Sequence, residues 1–112
     1  MRNLLLQLLP MPKVHLDEGC QVIPDKGRAH RIARSLRARW GAMLRAHHAG
    51  RTVESIAHAY AIQIVPDRCR NSDAAGLIEH ALIVEINRGI SDQINPFMLP
   101  TDTMLASLGR LT

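Results

Sequence analysis

Acid–base, nucleophilic or metal chemistry in this chain would have to come from six histidines, two cysteines and ten carboxylates. The histidines are His15, His30, His47, His48, His58 and His80. A zinc centre needs three or four ligands in tetrahedral geometry, yet no HxxxH or HExxH pattern occurs. His47 and His48 project about 100° apart on a helix, and Arg34 stands one turn on from His30. All six therefore read as surface or helix-end histidines, and no metal ion or other cofactor is expected. Cys20 and Cys69 form no CxxC pair and cannot build a four-thiolate site. They are read as two free thiols, which suits a cytoplasmic protein. Acid–base carboxylates need an apolar cleft that separates their pKa values. Glu79 and Glu85 flank an expected hairpin and are read as solvent-facing. No GxSxG, Walker loop or GxGxxG is present, so no catalytic residue is assigned.

The arginines are more informative. The net charge of +4 comes from twelve Arg and two Lys against ten acids, and it is unevenly spread. Residues 26–53 hold eight basic side chains (Lys26, Arg28, Arg31, Arg34, Arg37, Arg39, Arg45, Arg51) and no acid, leaving a balance of −4 elsewhere. A block of this kind suits phosphate backbones, anionic lipid or an acidic partner. On a helical wheel Ala29, Ile32, Ala33, Leu36, Trp40, Met43 and Leu44 fall within one arc, with Arg31, Arg34 and Arg45 opposite. These three arginines are the candidate contacts for nucleic acid or a protein partner. With only three aromatics, Trp40, Tyr60 and Phe97, base stacking is a poor explanation for any such binding, and the core must be aliphatic.

The elements that position these residues follow from caps and periodicity. Asp25 suits the start of a helix over 28–48, and Gly50 suits a left-handed stop after it. Thr52 caps a second helix, 53–60. Ile62–Val65 alternates and meets Pro66, which reads as a strand. Residues 75–79 and 82–86, short and rich in β-branched side chains, read as two more strands joined at His80–Ala81. A last helix is expected at about 103–109. Residues 1–25, with Pro10, Pro12, Gly19 and Pro24, read as an irregular arm ahead of a single domain over 26–112. Val14, Leu16, Val22 and Ile23 would supply brief extended pieces. The fold class is then α+β: N-terminal amphipathic helices, a small sheet of about three short strands and a short C-terminal helix. Residues 52–62 also match the first half of a helix-turn-helix, but Pro66 stands where a recognition helix would begin. No apolar run approaches the ~20 residues of a membrane span.

Three stretches, TVESIAHAYAIQIV, DAAGLIEH and ALIVEINRGISDQ, lie within residues 52–93. Together they resemble the early part of the ImmA/IrrE family of zinc metallopeptidases. That likeness implies strands at Ile62–Val65, Gly76–Glu79 and Ile83–Asn87, leading to a helix bearing HExxH, whose histidines bind zinc and whose glutamate is the general base. Here the chain instead reads INPFMLPTDTMLASLGRLT. Ser107 stands in the place of the His-Glu pair and Arg110 in that of the second histidine, and arginine does not ligate zinc. The resemblance thus implies a truncated or degenerate, non-catalytic domain with a regulatory role, binding a repressor-like protein partner. The alternative is a nucleic-acid-binding regulatory module using the arginine-rich helix 28–48.

Overall fold

The computed structural model describes residues 10–98. They form four α-helices: α1 Lys26–Ala38, α2 Trp40–His48, α3 Val53–Ile64 and α4 Asp73–Asp92. A single 3-10 turn, Asp67–Cys69, lies between α3 and α4. The described residues contain no strand, only one isolated antiparallel bridge between Leu16 and Val22. The expected α+β fold is therefore corrected to a helical one. The final helix expected at 103–109 lies outside the described residues.

The helix starts follow local chemistry. Asp25 Oδ1 accepts from Arg28 N at 3.0 Å, and this backbone hydrogen bond holds its carboxyl below the usual carboxylate range. Thr52 Oγ1 accepts from Ser55 N at 3.1 Å, and Ser72 Oγ accepts from Ala75 N at 3.3 Å. After α2, Gly50 takes φ +102°. Its N–H donates to His47 O at 3.0 Å and Arg51 N donates to Ala46 O at 3.1 Å. This paired pattern closes a helix end and needs a residue that tolerates positive φ.

The helix expected over 28–48 breaks at Arg39, where φ is −100° and ψ is 1°. The apolar stripe survives the break: Ala29, Ile32, Ala33, Leu36, Trp40 and Met43 are all buried. Arg39 itself is buried, and its Nη1 donates to Ser35 O at 3.1 Å.

The three strand assignments fail for a common reason. Ile62–Ile64 continue α3, and Val65 turns extended only at the cap, before Pro66. Residues 75–79 and 82–86 both belong to α4, which runs unbroken through His80 and Ala81. Its buried positions are Ala74, Ile78, Ala81, Leu82, Glu85, Ile86 and Gly89. That set recurs every three or four residues, as a helix face does. Two short β-branched runs taken separately conceal this period, and burial against α3 outweighs local β-propensity. The strands implied by the ImmA/IrrE resemblance at these positions are likewise helix.

The core is aliphatic. Val14, Ile32, Leu36, Met43, Ile56, Ile64, Ile78, Leu82 and Ile86 are almost fully inaccessible, joined by Phe97. The segment before α1 contributes Met11, Val14 and Leu16 to it. Val14 N donates to Ile64 O at 2.8 Å, capping the end of α3.

Beyond α4, Gln93 adopts a left-handed conformation and the chain turns back. Asn95 Nδ2 donates to Arg37 O at 3.2 Å, and Asn95 Oδ1 accepts from Phe97 N at 3.0 Å. Phe97 then meets Trp40 edge-on, ring centroids 6.0 Å apart. Gly89 makes this crossing possible, because a Cβ there would lie 2.6 Å from Pro96 Cδ and 2.7 Å from Trp40 Cη2. Both neighbours are rigid rings. Gly89→Ala gains about 1 kcal/mol of helix propensity, but overpacking of this kind costs about 1–3 kcal/mol. A net loss of stability is expected, read as a lower thermal midpoint. A midpoint equal to or above wild type would show that the rings yield.

Candidate nucleic-acid interface

The seven arginines of the block at 26–53 separate by what they touch. Arg28 is structural: its Nε lies 3.7 Å from Asp25 Oδ2 and its Nη1 donates to Lys13 O at 3.1 Å. Arg39 is buried at the joint between α1 and α2. Arg51 is held by Ser55, Nε donating to Oγ and Nη2 to the carbonyl, each at 3.2 Å. Arg31, Arg34 and Arg45 are exposed, and Arg37 partly so. None of these four lies within ion-pair distance of a described carboxylate.

The structure thus places the three predicted contacts on the surface, Arg31 and Arg34 on α1 and Arg45 on α2. They are exposed because the aliphatic stripe on the opposite side is buried, so one amphipathic pattern explains both faces. The turn at Arg39 places Arg45 on a second helix instead of a continuous rod.

Tyr60 was counted from the sequence only as one of three aromatics. Burial pushes its hydroxyl pKa up, while the charges of Arg39, Arg51 and Arg45 pull it down. A neutral phenol therefore lies within electrostatic reach of these three arginines. No local pattern around position 60 announces this, since the arginines come from other elements.

A second cluster lies between α3 and α4. His58 Nδ1 sits 2.6 Å from Glu79 Oε1 at the edge of a groove of about 330 Å³. Ala61, Ile62, Arg70 and Ser72 also line it. Among the described residues Glu79 is the one hydrogen-bond partner of His58, so the pair acts as a polar clamp between two helices. Glu79, expected to face solvent, is instead half-buried in this pair. Glu85, also expected in solvent, is buried on α4, where Arg88 Nη2 donates to its Oε2 at 3.0 Å. No group of three or more His, Cys, Asp and Glu side chains among the described residues is placed to hold a metal ion.

The cysteines correct a further expectation. Cys20 and Cys69 are joined as a disulfide, their Cα atoms 5.6 Å apart across 49 residues of sequence. No helix among the described residues is long and apolar enough to cross a membrane.

The loop between α3 and α4 also bears on recognition. A helix-turn-helix joins its helices by three or four residues. Here residues 65–72 intervene, holding Pro66, the 3-10 turn and the disulfide. The exposed side of α4 offers Leu77, His80, Val84 and Asn87, with no base among them beyond the histidine. A recognition helix in the major groove is therefore not what this geometry offers.

No protein-family model, curated protein or solved structure matches this chain.

Proposed function

We propose that the chain is a small, non-catalytic helical module that binds duplex nucleic acid through its phosphate backbone. Arg31, Arg34 and Arg45 make the contacts. The observation that carries this reading is their exposure on a surface where no described carboxylate neutralises them. Backbone contacts of this type fix affinity without reading sequence, which fits the lack of a recognition helix.

A non-catalytic ImmA/IrrE-like role with a repressor-like protein partner draws on the likeness across residues 52–93. The strands this likeness implies are helical here, so the arginine surface has the stronger physical support.

Fluorescence anisotropy of a labelled duplex, titrated across salt concentrations, tests the proposal. Each neutralised phosphate contributes about −0.9 to the slope of log K against log salt. Replacing Arg31, Arg34 and Arg45 together with Ala should flatten the slope by about 2–3. Failure to bind at low salt, or an unchanged slope in the triple variant, would sink the reading. Binding to anionic vesicles with none to DNA would reassign the surface to membranes.

A further inference from the structure

The surroundings of the disulfide differ from those of an inert staple. Cys69 is 1% exposed, whereas Cys20 is partly open to solvent. The Arg68 guanidinium lies against both sulfurs, its Nη1 3.2 Å from Cys69 Sγ and 3.6 Å from Cys20 Sγ. It is fixed there by two further hydrogen bonds, Nη1 to Asp17 O at 2.9 Å and Nη2 to Leu16 O at 3.0 Å. Cys20 closes a tight turn in which Asp17 Oδ1 accepts from Gly19 N and Gln21 N, each at 2.9 Å. There Cys20 takes φ +61°, a conformation that disfavours any residue with a Cβ.

Thiol–disulfide exchange is governed by which sulfur an incoming thiolate reaches and by how well the other sulfur leaves as an anion. A cation beside a cysteine stabilises its thiolate. Here the accessible sulfur is Cys20, and the sulfur nearest the guanidinium is Cys69. Access and leaving-group stabilisation therefore favour the same direction of cleavage.

We propose that the Cys20–Cys69 bond is a reducible clasp, opened by dithiol reductants through attack on Cys20 with Arg68 holding the departing Cys69 thiolate. In the first step a reductant thiolate bonds to Cys20 Sγ, the protein S–S bond breaks, and its electron pair leaves on Cys69 Sγ. In the second step the reductant's other thiolate attacks its own sulfur in the mixed disulfide and expels Cys20 as a thiolate. Two electrons pass from the dithiol to the protein. The dithiol becomes a cyclic disulfide, and its two protons are matched by those the protein thiols take up. Opening the clasp unties the 16–22 turn from the 3-10 turn, leaving this segment held by the Arg68 contacts and by Val14 on Ile64.

The test uses the oxidised full chain with dithiothreitol in excess, the rate of opening being read by mass spectrometry after alkylation. Wild type should open roughly tenfold faster than Arg68→Gln, with Arg68→Lys in between because it keeps the charge. A single-thiol reagent, glutathione, should be trapped on Cys20. Because Arg68 also anchors the backbone of Leu16 and Asp17, Arg68→Gln is interpreted only if its circular dichroism is native. Otherwise Arg68→Lys and the wild-type trapping site decide. Equal rates in folded variants, glutathione on Cys69, or free thiols in protein prepared in air would each overturn the proposal.

Discussion

Phe97→Ala is expected to cost about 3–5 kcal/mol of stability, the usual range for deleting a buried aromatic ring. Phe97 is 1% exposed and lies in the same core cluster as residues from all four helices. The ring also meets Trp40 edge-on, an arrangement that contributes about 0.5–1.5 kcal/mol beyond area burial. The loss extends past the cavity itself. The stretch of chain after α4 returns over Gly89 and is tied to α1 through Asn95 and Arg37. Removing Phe97 leaves the buried Pro96 beside Gly89 and those polar bonds to hold it. Urea denaturation followed by Trp40 fluorescence measures the effect, since Trp40 is the single tryptophan and lies beside the altered site. A loss under about 1 kcal/mol would show that this segment adds little to the core, because buried large-to-small changes rarely cost so little.

Replacing both Cys20 and Cys69 with Ser is expected to destabilise the chain by about 4 kcal/mol, from the loop entropy restored to the unfolded state by a link spanning 49 residues. The link joins the segment before α1 to the α3–α4 loop, so it spans α1, α2 and α3. The fully buried Cys69 position adds a second cost, because a serine hydroxyl there would need a hydrogen-bond partner. Thermal and urea melts of the oxidised, reduced and double-Ser forms check the expectation. Reduced and double-Ser protein should melt alike and well below the oxidised form. Coincident melts of all three would mean that the packing of Met11, Val14 and Leu16 holds the segment without the covalent link.

The starts of α1 and α3 and the stop after α2 were legible because they are local. Asp25, Thr52 and Gly50 act on backbone groups within a few residues, so their chemistry is complete in the sequence. The surface position of Arg31, Arg34 and Arg45 was legible for a similar reason: seven apolar side chains opposite them define which face must be buried. The helix break at Arg39 was not, because the wheel is continuous across it. Trp40, the first residue of α2, meets Phe97 from far along the chain.

Residues 75–86 were misassigned for a physical reason. The AGLIE and LIVEI runs satisfy local criteria for strands, and Gly76 weakens a helix by roughly 1 kcal/mol. Pairing them as a hairpin would expose half of each strand, whereas one long helix buries Ala74, Ile78, Leu82 and Ile86 together against α3. Burial of that size outweighs propensity differences of a few tenths of a kcal/mol per residue.

Pairings across distance lay beyond the sequence altogether. Nothing near Cys20 names Cys69, nothing near His58 names Glu79, and nothing near Tyr60 names the arginines around it. The amino-acid sequence alone determined an aliphatic core, an acid-free arginine block, the caps at Asp25, Thr52 and Gly50, and the stop at Pro66. Each of these depends on composition or on neighbours within a turn. The tertiary structure alone decided that the second half is helix, that the cysteines are joined, and that Arg39 is buried at the joint between α1 and α2. Those outcomes depend on which distant surfaces meet, and it is the burial released at such meetings that overrides local preference.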